Sequence, residues 1–268
     1  MSSNMEGASG TGAGTSPGID LASCNPLDPA IQAQPWEYND RLVAEAPVYR
    51  EPNTGLFLVS SHALVSEALG DYETFSNRFM LKMGGGKAAK VPEAVAEVMK
   101  EGYPPVDTML TADPPEQRRF RALVNKAFTL RRVSALAPRI EALAAELIDA
   151  FAADGQVELR SQFAVPLPLT VIAEQLGVPR EDLAEFKKWS DGFVAQLSGM
   201  ASPEEQVAAW KLIVEFQKYF EKILKDRAEN PQEDILSAVV GARGEGERPL
   251  DGAECLSILQ QLLVAGNE

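Results

Sequence analysis

Asp113-Pro114-Pro115-Glu116-Gln117-Arg118-Arg119-Phe120-Arg121-Ala122-Leu123-Val124-Asn125-Lys126-Ala127-Phe128 is the stretch that decides the fold class. An Asp, two prolines and a Glu make a helix start. The Asp is placed to cap, Pro fits the first turn because its missing N–H would be unsatisfied there, and the Glu can close a capping box. Phe120, Leu123, Val124, Ala127 and Phe128 then recur at i, i+3, i+4, i+7 and i+8, which is one face of an α-helix. Charged side chains fill the positions between them.

Downstream the same period dominates. Leu136, Ile140, Leu143, Leu147 and Phe151 predict a long helix ended by Asp154-Gly155. A helix over about 161–176 stops at Gly177-Val178-Pro179, and another covers 180–198 with Leu183, Phe186, Trp189, Phe193 and Leu197. Ser202-Pro203-Glu204-Glu205 opens a helix to about Glu229, and a shorter one follows over 232–242. Asp251 and Glu254 form a further capping box. The helix after them carries Leu256, Ile258, Leu259, Leu262, Leu263 and Val264 on most of its circumference, so it belongs in the centre of the fold. The sequence stops soon after it, at Glu268. A core helix with nothing after it to cover it reads as part of a longer chain.

Upstream of Asp113 the pattern is looser. Residues 1–25 are Gly, Ser, Thr and Ala with little bulk, which predicts a flexible tail, with one domain over 26–268. A short helix over 36–45 carries Trp36, Tyr38, Leu42 and Val43. A hairpin follows, with Val48 and Tyr49 in one arm, Pro52-Asn53-Thr54-Gly55 as the turn and Leu56-Phe57-Leu58-Val59 in the other. Ser60 or Ser61 caps a helix with Ala63, Leu64, Val65, Ala68 and Leu69, and 92–101 is a short helix with Val95, Val98 and Met99 as its apolar side. The expected class is mainly α with one small β-hairpin sheet.

Composition narrows the chemistry. The 268 residues are 45% apolar and 24% charged, an ordinary globular make-up. Lys plus Arg is 25 against 39 for Asp plus Glu, a net charge of -14, which argues against nucleic acid and anionic membrane surfaces as partners. A single histidine, His62, excludes histidine-rich metal sites, and two cysteines, Cys24 and Cys255, exclude a disulfide framework or a four-cysteine site. Few cysteines, no basic leader and no apolar run of about 18 residues point to a cytoplasmic protein with no membrane span. Two short motifs lead nowhere. Gly14-Thr15-Ser16-Pro17-Gly18 matches a nucleophile elbow without the strand and helix that motif needs. Gly84-Gly85-Gly86-Lys87 lacks the first Gly and the Ser or Thr of a phosphate loop.

Asp113 to Val124 resembles the C helix of a bacterial cytochrome P450, most closely the camphor-hydroxylase type. Leu262-Leu263-Val264-Ala265-Gly266-Asn267-Glu268 resembles the central I helix of that family. Leu167 to Pro179 and Asp234 to Ala238 stand where the family has its E and H helices, and Tyr72 to Ser76 fits the end of its B helix. The resemblance covers about 27–268 and implies the N-terminal portion of the cytochrome P450 fold. The family's cysteine loop is absent. Cys24 lies in the tail and Cys255 in the first turn of the last helix, so the axial cysteine of the iron is expected beyond residue 268 and no metal ligand within the chain.

The resemblance assigns roles. Gln117 and Arg121, one turn apart, match positions that bind a propionate of haem b (iron protoporphyrin IX), and an amide and a rigid cationic fork suit a carboxylate. On spacing alone they read as part of a solvated charged face. Ala265 and Gly266 match the groove that accepts O2, and Glu268 matches the acid of the acid–alcohol pair that relays protons. Gln261 lies one turn before Ala265 at a position that is apolar in the camphor type, which suggests an amide directed at a polar group of the substrate. Val264, Ala265, Tyr103, Met109 and Leu110 complete the expected substrate contacts. Trp189, Phe193 and Leu197 read as core. Arg118, Arg119, Lys126, Arg131 and Arg132 form a basic cluster where the family docks a ferredoxin-type electron donor.

The implied activity is haem-dependent insertion of one oxygen atom from O2 into a lipophilic small molecule, terpenoid or steroid-like. Two alternatives stay open on the sequence: a non-catalytic helical small-molecule-binding or regulatory domain, and a haem-thiolate enzyme of another reaction type, rearrangement or peroxide-driven.

Overall fold

The computed structural model describes residues 19–78, 91–197, 201–242 and 248–266. They fall into two compact units, one ending at Phe75 and one beginning at Ser76. The Gly14–Gly18 and Gly84–Lys87 motifs lie outside the described residues.

In the first unit, order starts earlier than the expected tail boundary at residue 25. A 3-10 turn, Leu21–Ser23, is capped by the Asp20 carboxylate and puts Leu21 into a small core with Tyr38 and Leu42. Arg41 fixes this entry by donating to the Ile19 carbonyl at 2.7 Å, and Glu37 accepts from the Ile19 N–H at 3.0 Å. The helices are α1 (Pro29–Ala33), α2 (Trp36–Glu45) and α3 (His62–Gly70), the last capped by Ser61. Of the apolar residues predicted to hold α2, Tyr38 and Leu42 are buried and Trp36 and Val43 are exposed.

Strands β1 (Val48–Arg50) and β2 (Phe57–Val59) pair antiparallel with Tyr49 opposite Leu58. Gly55 turns the hairpin at φ +71, a conformation open to glycine at little cost. The rest of the turn is organised by Glu51, which sequence reading passes over. Its fully buried carboxylate accepts from the Asn53 N–H and side-chain amide and from the Thr54 N–H and hydroxyl. Burial alone would raise its pKa, but these hydrogen bonds outweigh it and hold the group at about 2.

The second unit contains α4 (Glu93–Met99), α5 (Glu116–Ala127), α6 (Leu130–Ala135), α7 (Ala137–Phe151), α8 (Pro166–Gln175), α9 (Leu183–Leu197), α10 (Pro203–Glu229), α11 (Ile235–Val240) and α12 (Gly252–Ala265). Its core is aromatic where α9 meets α10. Phe193 stands edge-on to Phe216 at 5.1 Å, and Trp189 and Phe186 pack around Phe220. The core reading of Trp189 and Phe193 therefore holds. Leu256, Ile258, Leu259 and Leu263 of α12 are buried in the same cluster, so α12 is central as its all-round apolarity requires. Ser202 and Asp251 both form the expected capping boxes, with Glu205 and Glu254.

Two local expectations are corrected. Asp113 does not cap α5, which has no side-chain cap. Its carboxylate instead accepts from the Ser76 hydroxyl at 2.6 Å and the Asn77 N–H at 2.7 Å, so it pins the segment before it. Thr129 caps a separate short helix, α6, by accepting from the Arg132 N–H, and the long helix expected from Leu136 to Phe151 follows it as α7. Of its predicted apolar face only Leu143 is buried, with Leu136, Ile140, Leu147 and Phe151 half-buried. The helix expected over 161–176 is a π-helical turn, Arg160–Ala164, followed by α8. Pro166 and Pro168 lack the N–H groups that would continue the ladder between them.

Candidate functional site

Helix α5 is held by one face. Phe120, Leu123, Val124 and Ala127 are buried, and helical spacing puts Gln117 and Arg121 on one flank of that face and Arg119 on the other. The two flanks behave differently. Arg119 reaches the buried Glu254 of α12 at 3.3 Å, the Arg248 carbonyl at 3.1 Å and the Phe120 ring at 5.2 Å. Arg248 completes this cluster with two hydrogen bonds of 2.7 Å to the same carboxylate. Burial by itself would raise the Glu254 pKa, but Arg248, the Asp251 N–H and Arg119 together hold it below the ordinary range.

On the opposite flank, Gln117 is half-buried and Arg121 exposed, and neither side chain has a hydrogen-bond partner among the described residues. One half-buried amide and one exposed guanidinium thus stand one turn apart on the same flank. The predicted basic cluster is therefore divided. Arg119 is structural and mostly covered, which removes it from the expected docking surface. Arg132 donates to the Ala127 carbonyl at 3.3 Å, and Arg118, Lys126 and Arg131 are exposed.

At the other end of the site, α12 presents Ser257, Gln261 and Ala265 along one line. Ala265 and Gly266 are exposed at the helix end, and Val264 is half-buried against the core. Glu268 lies outside the described residues. Gln261 does not present an uncommitted amide. Its Oε1 accepts from the Leu110 N–H at 3.0 Å, and its Nε2 donates to the Thr108 hydroxyl at 2.6 Å and to Ser257 Oγ at 3.3 Å. An amide withdrawn from water is costly unless paired, and here the loop before α5 engages both ends of the half-buried Gln261 amide.

The loop candidates separate in the same way. Tyr103 is tied to α10. Its N–H and carbonyl both bond the Gln217 amide, and its hydroxyl donates to Glu221 at 3.0 Å, which raises the phenol pKa together with burial. Gly102 has to be glycine for this, since a Cβ there would stand 2.1 Å from Gln217 Oε1. Met109 packs against the core, and Leu110 is 52% exposed beside Gln261.

Cys255 is buried, and burial first, with Asp251 and Glu254 adding to it, pushes its thiol up to about 12. It stays protonated at neutral pH. No cluster of three or more His, Cys, Asp or Glu side chains able to hold a metal ion occurs among the described residues. No helix among them is long and apolar enough to cross a membrane.

An apolar cavity of about 460 Å³ lies elsewhere, lined by the end of α5, by Leu136 and Ile140, by Val171 and Ile172 of α8, and by Ile235 and Gly266. Of the predicted site residues it takes in only Gly266 and, at its edge, Arg132. The structure thus gathers Leu110, Gln261 and the line leading to Ala265, and keeps Gln117 and Arg121 as a separate pair on α5. Glu254 and Arg119 link that helix to the first turn of α12.

No family model matches the chain. Among curated proteins it is 33% identical over 257 residues to the cytochrome P450 monooxygenase PikC of Streptomyces venezuelae, covering 94% of this chain and 56% of that protein. It is 41% identical over 160 residues to cytochrome P450 107B1 of Saccharopolyspora erythraea, covering 60% of this chain and 38% of that one. Solved structures agree. Cytochrome P450 CYP109Q5 from Chondromyces apiculatus superposes with a TM-score of 0.73 at 33% identity, over 93% of this chain and 58% of that one. Cytochrome P450 CREJ, solved with (4-ethylphenyl) dihydrogen phosphate, superposes with a TM-score of 0.80 at 26% identity, over 93% and 60%. The chain spans rather more than half the length of PikC and of these solved structures.

Proposed function

Since the chain belongs with the bacterial cytochrome P450s in sequence and in fold, we propose that the whole protein is a haem-dependent monooxygenase that inserts one atom of O2 into a lipophilic small molecule. Haem is the cofactor of that family, and the residues present fit it. The observation that carries the reading is the pair Gln117 and Arg121, two donors without partners among the described residues, set one turn apart on a helix whose other charged flank is fully engaged. A carboxylate-bearing ligand is what such a pair suits, because a guanidinium fork and an amide donor both address carboxylate oxygens.

Within this reading, Gln117 and Arg121 hold the haem propionates. When bound, the haem supplies activation of O2. Ala265 and Gly266 would keep the end of α12 small, leaving room beside the haem, and Glu268 would serve as the acid of a proton relay. Leu110 gives the site an apolar wall suited to a terpenoid or steroid-like substrate. Arg118, Lys126 and Arg131 make the docking face for a ferredoxin-type electron donor. A cytoplasmic location rests on the two unpaired cysteines.

The test is the absorption spectrum of the reduced protein with carbon monoxide. A strongly red-shifted Soret band, the signature of thiolate ligation, supports the reading, and its absence from the full-length protein would sink it. Arg121→Leu and Gln117→Leu should weaken haem retention about 10-fold each or more, since a hydrogen bond to a charged group contributes about 1.5–3 kcal/mol. Competition with apomyoglobin for the haem measures this directly.

A further inference from the structure

Three side chains and two backbone groups join α12 to the loop before α5 in one continuous circuit. Ser257 Oγ donates to the Val106 carbonyl at 3.0 Å. Its single proton is then used, so the 2.9 Å contact between Ser257 and Thr108 has Thr108 as the donor. Gln261 Nε2 donates to Thr108 Oγ1 at 2.6 Å, and Gln261 Oε1 accepts from the Leu110 N–H at 3.0 Å. Every donor points the same way, from Leu110 through Gln261, Thr108 and Ser257 to Val106. Hydrogen bonds aligned in this way polarise one another. Thr108, at the centre, is fully buried.

The circuit starts and ends on the backbone of the same short loop. It braces residues 106–110 against one face of α12 and leaves Leu110 exposed beside the line that leads to Ala265. A second clamp holds the upstream end, where the Gln217 amide bonds both backbone groups of Tyr103. We infer that Gln261, Thr108 and Ser257 are positioning residues that fix Leu110 at the wall of the substrate site and thereby set which ligand shapes the site admits. The inference deepens the proposed monooxygenase reading and rests on it for the location of that site. Gln261 acts on the loop and not on the substrate.

The test uses the full-length protein with haem bound and has two arms. In the first, hydrogen exchange is followed in peptides covering 106–111. Gln261→Leu and Thr108→Val should each speed exchange of the Leu110 amide about 10-fold, the scale of one lost hydrogen bond. Gln261→Glu keeps an acceptor for that N–H and should restore protection. In the second arm, imidazole and 4-phenylimidazole are titrated spectroscopically as iron ligands of two lengths. Gln261→Leu should change the ratio of their dissociation constants at least about fivefold, with imidazole itself nearly unaffected and Gln261→Glu close to the parent.

Unchanged exchange in both Gln261→Leu and Thr108→Val would overturn the brace. Faster exchange with an unchanged ligand ratio would reduce it to a structural tie and overturn the role in selectivity. Ser257→Ala, which removes only one hydroxyl, replaces any variant that fails to fold and carries the same two readouts. If the parent protein gives no thiolate signature with carbon monoxide, the monooxygenase reading fails on its own, while the exchange arm still decides the brace.

Discussion

At the residue scale, a side chain's role followed from whether the fold had already satisfied it. Gln117 and Gln261 are the same residue type, and sequence reading gives both a ligand. The structure leaves the amide of the first without a partner among the described residues and commits that of the second to Leu110, Thr108 and Ser257. The signal that separates them is not local, because Leu110 and Thr108, which engage both ends of the Gln261 amide, lie about 150 positions away in sequence. Glu51 is the converse case. Its partners are two and three residues on, in Asn53 and Thr54, so an acid just before Pro-Asn-Thr-Gly was a readable signal for a carboxylate-centred turn. Its pKa of about 2 lies below the ordinary 4.5 of the unfolded chain. The stabilisation it provides is therefore complete above about pH 4.5 and lost as the pH falls from there toward 2. Thermal melts of the parent should fall steeply over that interval. Glu51→Gln should melt lower at neutral pH and show a flatter dependence below pH 4.5. An equally steep fall in the variant would mean that other carboxylates carry the acid sensitivity.

At the element scale, the helices were legible where the signal was periodic or where a cap lay within three residues. Ser202 with Glu205 and Asp251 with Glu254 formed as read. Asp113 carries the same local signature and fails, because Ser76 and Asn77 compete for its carboxylate and a one-residue pattern cannot reveal a distant competitor. Glu254 shows how much can be loaded onto one capping residue. It accepts from the Asp251 N–H, closes the box at the start of the central helix, and draws in Arg248 and Arg119, with only 4% of its surface exposed. Glu254→Ala removes the reciprocal cap and several charged hydrogen bonds together. It should cost about 2.5–4 kcal/mol, given about 1 for a cap and about 1.5–3 for hydrogen bonds to a charged group. Glu254→Gln keeps one acceptor and one donor and should lose roughly half as much. Denaturant unfolding of the two variants measures the difference, and equal losses would show that the carboxylate charge, and not the cap, is what α12 needs.

At the scale of the whole molecule, charge was the most legible property and its distribution the least. A net charge of -14 is plain from composition, and so is the run of cations between Arg118 and Arg132. Composition does not reveal that Arg119 is withdrawn into the α5–α12 junction while Arg131 stays exposed. Nor does it reveal that α6 presents Leu130 with 83% of its surface open, or that the cavity of about 460 Å³ lies beside α6 and away from the α5 pair. The remaining cations stand out against an acidic protein, and such a contrast orients an encounter over about one Debye length without adding much to the final affinity. An acidic electron donor would be repelled by most of this surface and guided to one face of α5 and α6. Arg131→Glu should therefore slow reduction of the full-length protein by an acidic ferredoxin several-fold at low ionic strength, through the association step, with haem content and substrate affinity unchanged. The difference from the parent should shrink as salt is raised toward about 0.5 M, where the screening length falls to a few ångströms. Stopped-flow reduction across a salt series reads both effects. A deficit that persists at high salt would mean that Arg131 makes a direct contact, and no deficit at low salt would move the docking face away from α6.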